Sequence, residues 1–198
     1  MSTSRRHKTG YHHGDLPVAL LRGAGRLLEK KGVEALSLRA LARLAGVSHA
    51  APYRHFRDRE SLLAALATQG FERFAQALEQ GHASGGLRGR GEAYIRFALA
   101  NPQRFRLMFA GELAIHRHPA LREAASRAFS GLAGALSQHL SGMPSADASI
   151  AAWALVHGLA NLLLQERIAS AMRGGRSDEE FVRGVLASVR FAANPPAV

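Results

Sequence analysis

The chain has 198 residues, 47% of them apolar, enough for a real core and consistent with one or two domains. Cysteine is absent, which excludes a disulfide framework or thiolate metal site; the basic start MSTSRRHKTGYHHGD has no apolar stretch behind it, which argues against a secretory signal, and no uncharged apolar run of 18 residues marks a transmembrane helix. The net charge of +11 is uneven, with 12 Lys/Arg against 5 Asp/Glu in residues 1–60 and 14 against 10 in the remainder, which fits either the electrostatic footprint of a nucleic-acid binder or a basic soluble protein with no polyanion partner, while the lack of cysteine suits a reducing, cytoplasmic setting.

Ala, Leu and Arg dominate while Val, Ile and Thr are few, so the chain reads as all-α. Residues 1–13 form a basic arm. Asp15 is an N-cap candidate with Pro17 in the first turn, and Leu20, Leu21, Ala24, Leu27 and Leu28 make one buried stripe that Gly32 closes. Ser37 caps the next short helix, whose inner face is Leu38, Leu41, Ala42 and Ala45; Gly46 ends it. A third helix is expected from Ser48 to near Phe56, and Asp58 opens a longer fourth one with Leu62, Leu63, Leu66, Gly70 and Phe74 on its apolar side. The Gly-rich stretch GHASGGLRGRG, 81–91, reads as a loop. Helices follow over about 92–100, 102–109, 119–140, 145–170 and 177–193. The helix containing SIAAWALVHGLANLLLQERI is apolar all round, which suits burial against both its own domain and a partner subunit.

Residues 37–56, SLRALARLAGVSHAAPYRHF, meet the requirements of a helix-turn-helix. Small and branched residues pack the two helices, Gly46 supplies a left-handed turn residue, and Val47 plugs the junction. At 100° per residue, Pro52 and Phe56 share a side with Ser48, while Arg54 and Ala50 lie opposite, flanked by Tyr53 and Ala51. The outward face therefore offers small residues for close approach to base edges and a phenol and guanidinium as donors.

These residues resemble the N-terminal domain of the TetR family of transcriptional regulators over about 14–74, carried by SLRALARLAGVS, Tyr53, Phe56 and RDRESLL. A second stretch, YIRFALANPQRFRLMF with WALVHG, resembles the WHG C-terminal domain of some TetR-type regulators and extends the likeness over 75–194. The resemblance implies an omega-shaped homodimer paired through its last two helices, about 145–193, whose N-terminal helices bind double-stranded operator DNA and whose C-terminal half dimerises and holds a small-molecule inducer. It also implies a repressor released by that ligand. Ser37 and Tyr53 match phosphate-binding positions, and Ser48, His49, Ala50 and His55 occupy recognition positions beside Arg54. Arg59 stands where a lysine often opens the fourth helix, Ala50 where glycine is frequent, and Pro52 where a Leu-like core residue is usual.

For the ligand, Phe71, Phe74, Phe97, Phe105, Met108, Phe109, Phe129 and Trp153 are candidate walls, with core packing as the alternative for each. His157 is ionisable inside the most apolar helix, so it bonds either a ligand or a neighbouring protein group. His116 and His118 flank Arg117 in a loop-like stretch, a pattern too sparse for a metal site, and no cofactor is implied. An enzyme is disfavoured: there is no Cys, no Gly-Ser elbow and no HExxH helix. A non-specific architectural DNA binder would not need so apolar a C-terminal half.

Overall fold

The computed structural model describes residues 16–109, 111, 113–139 and 146–189, and all regular structure among them is helical. The expected basic arm, the Asp15 cap and the NPPAV tail lie outside the described residues. The chain divides into two compact units between Leu63 and Ala64.

The first unit is built from α1 (Leu16–Lys31), a 3₁₀ turn (Val33–Ala35), α2 (Leu38–Ala45), a second 3₁₀ turn (Pro52–Arg54) and the first residues of α3 (Arg59–Ala100). Leu20, Ala24 and Leu28 are buried on α1, as their spacing predicts. Gly23 lets α2 come close: a Cβ there would lie 3.2 Å from Leu44 Cδ2. The Ser37 hydroxyl accepts the Ala40 N–H at 3.1 Å and so satisfies one orphan donor at the start of α2. At its end Gly46 sits at φ 66°, ψ 30°, where a side chain would be strained. The Gly46 N–H donates to the Arg43 carbonyl and the Val47 N–H to the Ala42 carbonyl, a complete Schellman closure.

The third helix departs from expectation. After the turn at 49–51 the segment is a 3₁₀ turn rather than α-helix, with Ala51 N–H donating to Ser48 O at 3.0 Å and His55 N–H to Pro52 O at 3.0 Å. Pro52 has no N–H to give its own turn, so the chain tightens to i→i+3 bonding around it. The cap position falls on Ala51, which makes no side-chain cap, and its own N–H is taken by the Ser48 backbone carbonyl.

The second unit holds most of α3, then α4 (Pro102–Phe109), a 3₁₀ turn (Ile115–Arg117), α5 (Pro119–His139), α6 (Ala146–Leu164), α7 (Ser170–Arg173) and α8 (Asp178–Ser188). The loop expected at 81–91 is helical apart from two residues, Gly85 (φ −150°, ψ 18°) and Gly86 (φ 59°, ψ −146°), which fold α3 back on itself as two arms. The other glycines serve contact, not bending. A Cβ on Gly81 would lie 2.5 Å from both the Gly89 carbonyl oxygen and Ala93 Cβ, and one on Gly89 would strike the Gly81 carbonyl. Two arms whose backbones touch this closely admit only glycine at the crossing.

α6 also differs from expectation. It stops at Leu164, not near 170, because Glu166 adopts φ 52° and closes it: Glu166 N–H donates to Leu163 O at 3.1 Å and Arg167 N–H to Leu162 O at 2.9 Å. It is long and apolar enough to cross a membrane by length and composition alone. Within the unit Ala152, Leu159, Ala160 and Leu163 are buried, and the side of α6 carrying Ile150 and Leu162 is exposed. α8 starts on a capping box, Ser177 with Glu180, and ends at Ser188.

Candidate functional site

The polar surface of the first unit is set by what its last turn buries. Pro52 and Phe56 point inward, Phe56 only 6% exposed, whereas Ser48, His49, Ala50, Tyr53, Arg54 and His55 are all exposed. Tyr53 presents 51% of its surface, a large amphipathic side chain left outside an apolar core. The Phe56 N–H donates to the Pro52 carbonyl at 2.9 Å, and this i→i+4 bond brings Phe56 round to the buried side of Pro52 while Tyr53, Arg54 and His55 stay outside.

Two of the predicted DNA-contact residues also hold structure. Ser37 caps α2. Arg59 donates through Nε to Leu36 O at 2.9 Å and through Nη2 to Val33 O at 2.8 Å, tying α3 to the connection between α1 and α2. Glu34 lies at 4.0 Å from the same guanidinium. Asp58 caps α3 reciprocally with Ser61, its Oδ1 accepting the Ser61 N–H at 2.8 Å and its own N–H donating to Ser61 Oγ at 3.1 Å. That backbone hydrogen bond, with the Arg57 side chain, holds the Asp58 carboxyl below its usual range.

The second unit encloses a cavity of about 480 Å³, within the range of small-molecule sites. Of the predicted wall residues, Phe74, Phe129 and Trp153 line it. The other six lie elsewhere in the same unit. Phe71, Phe97, Phe105 and Phe109 pack ring against ring, with Phe105 and Phe109 centroids 4.7 Å apart and Phe74 and Phe97 5.1 Å apart. Met108 fills the space that Gly70 leaves, and His157 lies 5.0 Å from the Phe109 ring. Tyr94, Leu78, Leu132, Val156, Arg88 and Arg90 also line the cavity, and the sequence reading did not single them out. Tyr94 carried a usable signal, since it stands three residues before Phe97 on one helix. Arg90 did not, because RGRG reads as a solvated loop.

His157 is bonded within the protein. Trp153 Nε1 donates to Tyr94 Oη at 3.2 Å, and Tyr94 Oη lies 2.9 Å from His157 Nδ1. Burial pushes the Tyr94 phenol well above its ordinary value and lowers His157 below 6.5, so near neutral pH the phenol keeps its proton and the imidazole is uncharged. An indole can only donate, so Tyr94 accepts from it and passes its own O–H to Nδ1, leaving the histidine proton on Nε2. The three side chains form one directed hydrogen-bond chain.

Arg90 is 4% exposed, an uncommon place for a guanidinium. Its Nη1 donates to Glu79 Oε1 at 2.8 Å, joining the two arms of α3, and Nη2 reaches the Ala128 carbonyl at 3.5 Å. Gly131 leaves the room: a Cβ there would lie 2.5 Å from Arg90 Nη2. Among the described residues no group of three or more His, Asp or Glu could hold a metal, and His116 and His118 sit at the Ile115–Arg117 turn.

Known proteins place this architecture. Residues 20–66 match the family described as bacterial regulatory proteins, tetR family, and residues 87–188 match that described as tetracyclin repressor-like, C-terminal domain. No curated protein matches the chain. Among solved structures, a protein of unknown function from Rhodococcus sp. RHA1 is 35% identical with a TM-score of 0.75, over 91% of this chain and 96% of that one. The TetR family transcriptional regulator PfmR from Thermus thermophilus is 24% identical with a TM-score of 0.59, over 85% and 94%. The multidrug binding protein EbrR, solved with ethidium, is 24% identical with a TM-score of 0.61, over 89% and 98%. With both halves matched in order, and more than half its length falling to the C-terminal family alone, the chain belongs to the TetR family, whose members are DNA-binding regulators of transcription and not enzymes.

Proposed function

We propose that the protein is a repressor that binds a specific operator as a homodimer and leaves it when a small molecule fills the cavity of the second unit. The observation that carries this reading is a roomy, aromatic-walled cavity in the same chain as the exposed Ser48–His55 surface. EbrR, a multidrug binding protein of the same fold, is complexed with ethidium. In the proposed contact, Tyr53 and Ser37 meet phosphates, Arg59 lies beside them, and His49, Ala50, Arg54 and His55 face the base edges of the major groove. Ligand affinity and operator affinity are then reciprocally coupled, and α3, which contributes residues to both units, is the proposed link.

The homodimer reading is supported by α6. Ile150, Ala154, Gly158 and Leu162 lie four residues apart on its exposed side, and nothing lies within 4 Å of a Cβ placed on Gly158. A row of apolar and small residues at this spacing suits close ridge-into-groove packing with a second copy. The cytoplasm, where the chromosome lies, is the proposed location.

The test is binding of the purified chain to a palindromic fragment from its own upstream region and to random DNA of equal length. Tighter binding to the palindrome by about 10³-fold or more is expected, with twice the chain mass in solution. Equal affinity for both fragments sinks the operator reading.

A further inference from the structure

The charge of the cavity wall is one-sided. Arg88 and Arg90 both line it, and no Asp or Glu does among the described residues. Glu79 pairs with Arg90 but is not part of the lining, and its own side chain is 63% exposed. Of the five N–H donors of the buried Arg90, two meet acceptors among the described residues, one of them at the long distance of 3.5 Å. Arg88 is exposed, so it stands at the solvent end of the cavity. The remaining polar groups are already spent on one another. Tyr94 accepts from Trp153 and serves His157, and the imidazole is uncharged near neutral pH. Phe74, Phe129, Leu132 and Val156 make the rest of the wall apolar.

We propose that the ligand is a hydrophobic carboxylic acid, its apolar body against the Phe129 and Trp153 rings that line the cavity and its carboxylate on the unspent donors of Arg90, with Arg88 as a second cation at the mouth. This rests on the reading of the cavity as the ligand site. A planar guanidinium with N–H groups to spare in a mostly apolar wall recognises a carboxylate through short, charge-assisted bonds. A lipophilic cation meets two guanidinium groups and no counter-charge in the lining, so it is rejected. A neutral molecule of the same length gains the apolar contact and leaves the donors of Arg90 as they were.

Three ten-carbon probes separate these cases: decanoate, decanol and decyltrimethylammonium, each titrated at neutral pH into the full chain. Trp153 is the chain's single tryptophan and stands on the cavity wall, so its emission reports occupancy. Decanoate is expected to change that emission saturably and to bind about tenfold or more tighter than either other probe. Arg90→Gln should bring decanoate down to the affinity of decanol and leave decanol unchanged. Arg88→Gln, at an exposed site where folding is not at stake, should weaken decanoate alone by a smaller factor. Equal or tighter binding of the alcohol or the ammonium ion overturns the proposal, as does a lack of saturable change with all three probes. The promoter fragment separates this from the release reading. Decanoate that binds without loosening DNA leaves the preference for an acid standing and overturns ligand release. Decanol or the ammonium ion loosening DNA where decanoate does not upholds release and overturns the acid.

Discussion

The two units use aromatic and polar residues in opposite directions. In the first, Phe56 and Pro52 are spent inward so that Tyr53, Arg54 and His55 face out. In the second, rings face one another and the polar groups are hidden: Tyr94, Trp153 and His157 satisfy each other, and Arg90 is buried beside Glu79. An outward surface requires only a local turn that holds its side chains apart. An inward site needs partners far away in sequence, 63 residues apart for Tyr94 and His157 and 38 for Arg90 and Ala128. Substitutions in the two units should therefore fail in different ways.

The largest effect belongs to the packed rings of the second unit. Phe105 is 1% exposed and its centroid lies 5.9 Å from that of Tyr94 and 5.5 Å from that of His157. Phe105→Ala should cost about 3–5 kcal/mol in urea unfolding. Phe129, half-buried on the cavity wall, already faces a void, so Phe129→Ala should cost less than half as much and change probe binding instead. Equal losses would mean that wall and packing are one continuous core.

The first unit should respond without a change in stability. Tyr53→Phe removes only a hydroxyl from an exposed ring. It is expected to weaken DNA binding by about 1.5–3 kcal/mol, to similar degrees on every sequence, because a phosphate contact positions and does not specify. Binding isotherms on the operator and on single-base variants would measure it; a loss confined to one base position contradicts the phosphate role.

Within the hydrogen-bond chain, Tyr94→Phe leaves the Trp153 N–H and His157 Nδ1 without their shared partner, a loss of about 1–2 kcal/mol by thermal unfolding. Acid should attack the same place. His157 is held below 6.5 by burial, so the unfolded chain takes up this proton at a higher pH than the folded one does. The stability from keeping the ring neutral is complete above 6.5 and is lost as pH falls through the folded value. Urea midpoints at about pH 7.5 and about pH 5.5 should differ more for the wild-type chain than for His157→Gln. An identical difference would assign the acid sensitivity to other groups.

What the sequence made legible follows the same divide. Ser37 and Gly46 were readable because a cap and a left-handed turn act within four residues. The inward placement of Pro52 and Phe56 was readable for the same reason, although the turn is 3₁₀ and not α. The Gly81–Gly91 stretch misled because glycine has two uses: only Gly85 and Gly86 bend the chain, while Gly81 and Gly89 let two backbones touch. Arg90 was missed because RGRG reads as a solvated loop, and Tyr94, whose spacing to Phe97 was a usable signal for an apolar face, has its hydrogen-bond partners 59 and 63 residues away. Three of the nine predicted wall residues reached the cavity, and spacing alone could not sort them from the rest, since a core ring and a wall ring carry the same helical period.

The end of α6 offers the smallest effect and a change of sign. A left-handed residue usually announces itself as glycine, but here the position is Glu166, at φ 52°, and the helix therefore read as continuing toward 170. A side chain in that conformation is disfavoured by about 1–2 kcal/mol, and glycine gives part of this back through a freer unfolded chain. Glu166→Gly should thus stabilise by about 0.5–1 kcal/mol and raise Tm by about 1–4 °C in a chain of this size. Glu166→Ala keeps the strain and should leave Tm close to wild type, which separates relief of strain from removal of the carboxylate. A Tm unmoved by glycine would mean that the closure from Leu162 and Leu163 holds this turn without strain.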